Sequence, residues 1–266
     1  MTSKDGRVLA RENELRVLRA LHRFGWLRTR DLAVLVWQRW AAKPSSDGPN
    51  LRRLLPTAAG LRMAQRTLRR LRDARQVLSS LAPDGSTLYA LAEAGARCLQ
   101  SIGVAATSGK DLLRQFSSSH FRHRCIANEI AIAAIVGGFR ASTDRETAQG
   151  HWLGGASGIA GKRPDALLRS SELMWWVEVE RSRKNAKDYA KLLAWLDEVL
   201  LDATQASGPQ LLGKSLFLAK VVFICTPAFR NKLLKELSAI GWQKKILAEL
   251  FVFETSLYTF MDINFS

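Results

Sequence analysis

Apolar residues at Leu15, Leu18, Leu21 and Phe24 recur at helical spacing and end at Gly25, which predicts a first helix with a glycine stop. Trp26 and Leu27 read as a short extended link. Thr29 is expected to cap a second helix, with Asp31 in its first turn and Leu32, Leu35, Val36 and Trp37 as its apolar residues. Residues 41–50, with Pro44, Ser45, Ser46, Gly48 and Pro49, read as a loop. Residues 61–76 then set Leu61, Ala64, Leu68 and Leu71 on one helical face and Arg62, Arg66, Arg69 and Arg70 on the roughly opposite one. Val77-Leu78, the turn signal Pro83-Asp84-Gly85-Ser86 and the run from Thr87 to Leu91 predict a β-hairpin. A last helix of this half is expected from Leu91 to about Ser101.

Beyond the Gly/Ala/Thr/Ser stretch at 103–109, which resembles a linker, the pattern changes. Residues 120–135 read as a helix that buries Ile126, Ile130, Ala133 and Ala134, carries Glu129 beside them and stops at Gly137-Gly138. Pro164-Asp165-Ala166-Leu167-Leu168, a Ser170-Ser171 turn and Met174 to Glu180 predict a second hairpin. Alternation puts Glu178 and Glu180 on one strand face with Trp176, and Trp175, Val177 and Val179 on the other. Packing is the expected role of Trp175; that of Trp176 stays open. A helix at 185–201, a loop containing Ser207-Gly208-Pro209, a strand at 219–225, a helix at 228–240 and a strand at 250–254 follow. This order implies a mixed sheet flanked by helices. The fold class expected is thus α+β or α/β with two domains, 1–107 and 108–266.

Charge sharpens this picture. The chain of 266 residues carries a formal charge of +16, of which +11 lies in residues 1–107 and +5 in residues 108–266. A basic excess concentrated at one end raises the local concentration of polyanions such as nucleic acid. Helix, helix, arginine helix and hairpin is the order of a winged helix-turn-helix, with the hairpin as the wing. Arginine forks bind phosphate or guanine edges, so Arg62, Arg66, Arg69 and Arg70, with Arg72 and Arg75 after them, are the expected contacts to double-stranded DNA. RNA is the alternative polymer.

Three widely spaced cysteines, Cys98, Cys125 and Cys225, form no CxxC pair and indicate neither a disulfide framework nor a zinc ribbon. His120, His123 and Cys125 lack the other half of a zinc site, and the two histidines are expected to be ordinary helix-surface groups. With no signal-like segment and no run of about 18 apolar residues, a soluble cytoplasmic protein without a membrane partner is expected.

The chemistry-bearing feature of the second half is its acids. Asp165 at one strand end and Glu178 and Glu180 on the next can converge, and carboxylate oxygens suit Mg²⁺ or Mn²⁺, which can activate water and stabilise a phosphoryl group. Arg163-Pro164-Asp165, Glu178-Val179-Glu180 and a following helix bearing Lys184, Lys187, Tyr189 and Lys191 resemble the PD-(D/E)xK restriction-endonuclease-like superfamily. With Leu71-Arg72-Asp73-Ala74 and the run from Tyr89 to Gly95, nearly the whole chain resembles the replication-relaxation family of mobile elements, a winged helix followed by such a nuclease-like domain.

The resemblance implies metal ligation by Asp165 and Glu178, with Glu129 as a further acid. Where the superfamily has the lysine of its triplet, this chain has Glu180; Lys184 or Lys187 would have to substitute. Two functions are therefore expected as alternatives. The preferred one is a regulator or accessory factor of plasmid replication or conjugative transfer, acting with the replication or transfer machinery and able to work as a homodimer. The other is a Mg²⁺-dependent endonuclease or nickase using Asp165, Glu178 and Glu180.

Overall fold

The computed structural model describes residues 5–114, 118–180, 185–204, 211–212 and 216–256. Its first half runs α1 (Gly6–Phe24), β1 (Trp26–Arg28), α2 (Thr29–Trp37), α3 (Ala58–Asp73), β2 (Val77–Leu81), β3 (Thr87–Leu91) and α4 (Glu93–Gln100). The link after the first helix is a strand. It completes an antiparallel sheet in the order β1-β3-β2, with Leu27 opposite Tyr89 and Ser79 opposite the same residue from the other side. Gly25 ends α1 at φ 79°, a conformation that suits glycine. The start of α2 differs from expectation. Thr29 lies inside the helix, Arg28 is the cap residue, and the Asp31 carboxylate accepts from the Arg28 backbone N–H at 2.9 Å. A carboxylate at the third helical position reaches back further than a threonine hydroxyl could.

The second half adds α5 (Lys110–Arg114), α6 (Ser118–Val136), β4 (Arg140–Ser142), α7 (Asp144–Ala148), β5 (Ala166–Ser170), β6 (Leu173–Glu180), α8 (Ala186–Thr204), β7 (Phe217–Cys225), α9 (Pro227–Ala239), α10 (Lys244–Leu250) and β8 (Phe251–Glu254). Its sheet has the order β4-β5-β6-β7-β8, antiparallel through β6 and parallel from β6 to β8. It is the mixed sheet that the element order implied. Ser207, Gly208 and Pro209 lie outside the described residues.

Alternation along β6 divides two cores. Trp175, Val177 and Val179 face α6 and the first half, while Trp176 faces α8 and α9 with Leu192, Trp195, Leu196 and Leu233. Both tryptophans are packing residues, since Trp176 has no exposed surface and its ring lies 4.6 Å from that of Trp195. The first core is continuous: Leu18, Leu21, Leu32, Leu68 and Leu71 belong to the same cluster as Ile126, Ile130, Ala166 and Val177. The stretch at 103–109 is packed as well. Ala106 is buried and Gly109 donates its N–H to the Leu91 carbonyl at 2.8 Å.

Candidate functional site: an arginine face and a neutralised acidic pair

Helix α3 begins at Thr57, whose hydroxyl accepts from the Gly60 N–H at 3.0 Å. It ends where Arg75 takes φ 54° and the Gln76 N–H reaches back to the Leu71 carbonyl at 2.8 Å, three residues earlier than the apolar pattern suggested. Gly60, Ala64, Thr67, Leu68 and Leu71 are buried. The other face is basic: Arg62, Arg66, Arg69, Arg70, Arg72 and Arg75 are all exposed. Arg70 is engaged, its Nε donating to Glu14 at 3.1 Å. The following hairpin, 77–91, carries no Lys or Arg. Its inner residues Ala82, Leu88 and Ala90 pack with Trp26 on Phe121 and Cys125 of α6. Positive charge in this region is therefore carried by the helix and not by the hairpin.

A buried polar cluster ties the hairpin, β1, α2 and α6 together. Arg28 donates to Asp31 at 2.8 Å and to Glu129 at 2.6 Å, and lies 3.9 Å from Asp84 at the hairpin tip; Arg53 approaches Glu129 at 3.3 Å. Burial raises the Glu129 pKa in spite of the arginines beside it. Glu129 is thus occupied away from the acids of the sheet. It stands six residues beyond His123 on α6, roughly 9 Å along the helix.

Asp165 and Glu178 do come together. The β5–β6 register pairs Ala166 with Val177 and carries Asp165 to the end of the ladder, where its N–H donates to the Val177 carbonyl at 3.0 Å. Asp165 Oδ2 accepts from the Val179 N–H at 2.7 Å, and Oδ1 lies 2.8 Å from His123 Nε2. Glu178 accepts from Trp176 Nε1 at 2.5 Å and from Lys162 Nζ at 2.6 Å. Glu178 and Glu180 are buried, at 3% and 4% exposure, although acids at a strand end read as exposed.

Two cations, neither expected from sequence at this place, neutralise the two acids. Burial works to raise the Asp165 pKa, but the His123 charge and hydrogen bond, the Val179 N–H and Lys162 leave it below its ordinary value. Burial prevails at Glu178, whose pKa stays raised although Lys162 opposes it. Lys162 and His123 are both raised against burial, chiefly by Glu178 and Asp165 respectively. Lys162 has no motif signature because it precedes Pro164-Asp165 in a loop, closed by the Ile159–Lys162 bridge, from which its ammonium reaches Glu178 on β6. His123 is missed because its partner lies 42 residues away.

Lys187 is exposed at the start of α8, and Lys184 lies outside the described residues. Among the described residues no group of three or more His, Cys, Asp or Glu is placed to hold a metal ion. Carboxylate oxygens are the right donors for Mg²⁺ or Mn²⁺, but the Lys162 ammonium already sits against Glu178, so these residues as arranged do not fit a divalent ion.

The family model for replication-relaxation matches residues 48–196, more than half of the chain. The chain belongs to the replication-relaxation family. The match takes in α3, the first hairpin, α6 and the β5–β6 pair, so every residue of the arginine face and of the acidic pair lies within the family region. Membership of the replication-relaxation family points to a part in the replication or transfer of plasmids or other mobile elements. No curated protein and no solved structure matches the chain. No helix among the described residues is long and apolar enough to cross a membrane.

Proposed function

We propose that this replication-relaxation protein binds duplex DNA through α3, with α1 to α4 and β1 to β3 acting as a winged helix-turn-helix, and that it serves mobile-element replication or transfer as a regulator or accessory factor. The observation that carries the reading is the segregation on α3: Arg62, Arg66 and Arg69 are exposed while Ala64, Leu68 and Leu71 are buried. A helix about 10–12 Å across fits a major groove about 12 Å wide, and arginine forks there reach both phosphates and guanine edges. The order of the elements and the antiparallel β1-β3-β2 sheet support the same assignment.

The second half acts in this reading as a scaffold that keeps the acids of a nuclease-like site but not its metal chemistry. The support is the state of Asp165 and Glu178, whose charges are met by His123 and Lys162. Titration of a labelled duplex with Arg62→Gln/Arg66→Gln/Arg69→Gln tests the proposal: affinity is expected to fall at least tenfold with the fold intact. Equal affinity in the triple variant contradicts it. Supercoiled plasmid incubated with Mg²⁺ or Mn²⁺ is expected to stay uncut. Nicking that disappears in Asp165→Asn overturns the scaffold reading and leaves the DNA-binding reading standing.

A further inference from the structure

A second basic feature lies at the edge of the five-stranded sheet, far in sequence from α3. Arg140 on the edge strand β4 and Arg169 on β5 are direct register partners, so their side chains leave the same face with Cβ atoms about 5 Å apart. Like charges directly opposite on neighbouring strands are unfavourable unless something of opposite sign lies between them. Neither arginine takes an ion pair among the described residues, and neither does Lys43, which closes the same concavity from the loop between α2 and α3. That concavity measures about 320 Å³ and is completed by Ser170, Ser171 and Glu172.

Its parts are held in place. A Cβ on Gly138, at φ 89°, would lie 2.6 Å from the Lys43 carbonyl carbon, so glycine is needed for the loop to seat Lys43 there. The Ala41 N–H donates to the Val136 carbonyl at 2.8 Å and anchors the same loop. Arg169 Nε donates to the Ser171 carbonyl at 2.8 Å, which orients the guanidinium and leaves its terminal nitrogens for another acceptor. Glu172 is the one acid against three cations.

We infer that this concavity is an oxyanion pocket that takes a phosphate group between Arg140, Arg169 and Lys43, a diester of the DNA backbone or a free phosphate compound. Where the ligand is DNA, the inference rests on the DNA-binding reading above. Two guanidinium groups and an ammonium suit the oxygens of a phosphate group, and the Arg169 guanidinium is oriented by Ser171.

The test uses the full chain in two assays, with Arg140→Gln/Arg169→Gln, each single variant, and the control Lys235→Gln/Lys244→Gln, which removes two exposed charges on α9 and α10. The first assay is duplex affinity across a salt series; the second is Tm in inorganic phosphate against chloride at equal ionic strength. A salt slope shallower by about 1, as one lost phosphate contact gives, in the arginine variant, with the control unchanged, assigns a backbone diester. A phosphate-dependent rise in Tm that the arginine variant loses, with the slope unchanged, assigns a free phosphate compound. Loss of neither, or an equal change in the control, overturns the pocket. Should Arg62→Gln/Arg66→Gln/Arg69→Gln lose DNA while Arg140→Gln/Arg169→Gln changes nothing, the pocket fails and the α3 reading stands.

Discussion

At the scale of single residues, the acids of the β5–β6 pair, Asp165 and Glu178, show how environment sets the state of an acid. An acid taken out of water must be met by a cation or become neutral, and here Lys162 meets Glu178 while His123 meets Asp165. Removing one partner leaves the other buried alone, so Lys162→Met is expected to destabilise the protein by about 2–3 kcal/mol, less than a fully buried pair because the lysine keeps some exposure. Urea unfolding measures this, and a change below about 0.5 kcal/mol contradicts the pairing.

The histidine pair carries a pH signature. Burial lowers the His123 pKa, yet Asp165, Asp144 and Glu178 together leave it above 6.5, so its stabilisation is full below that value and is lost as pH rises through the folded-state pKa. Asp165 is depressed below 3.8, so its contribution is present above that value and disappears as pH falls through the lowered one. His123→Gln is therefore expected to destabilise more at pH 5.5 than at pH 8.5. An equal loss at both pH values contradicts the ion pair.

At the scale of elements, Gly95 sits in α4, where glycine weakens a helix by about 1 kcal/mol relative to alanine. The reason is packing: a Cβ there would lie 2.2 Å from the Gln76 carbonyl oxygen, on the chain that leads from α3 into β2. Gly95→Ala is expected to destabilise by about 2 kcal/mol or more, because backbone must move, despite the better helix propensity. A thermal melt showing unchanged or raised Tm contradicts that close approach. The elements themselves were largely legible, because α3 has a clean period of 3.6 and β6 follows the Ser170-Ser171 turn. What was not legible had no periodic signature. The strand β4 spans three residues and depends on its partner β5, and the reach of Asp31 back to the Arg28 N–H is a local cap with no periodic signal. Lys162 and His123 belong to the same class. Alternation correctly assigned the faces of β6 but could not tell that both faces are covered.

At the scale of the whole molecule, the core that begins under α1 runs without interruption through α6 to the sheet, and Arg28 bridges Asp31 to Glu129 across the two halves. The glycine-rich composition of 103–109 suggested a linker; composition does not register that Ala106 and Gly109 are packed. Unfolding is expected to be one cooperative event, with tryptophan fluorescence and far-ultraviolet circular dichroism giving coincident curves. Two separated transitions contradict a shared core.

In the proposed reading the exposed arginine face of α3 lies against DNA phosphates. The salt dependence of duplex affinity tests it most directly, because each phosphate contact contributes about 0.9 to the slope of log K against log salt. Replacing Arg62, Arg66 and Arg69 together by glutamine is predicted to flatten that slope by about 2 to 3. A slope identical to that of the unaltered protein would mean that these arginines never reach the duplex.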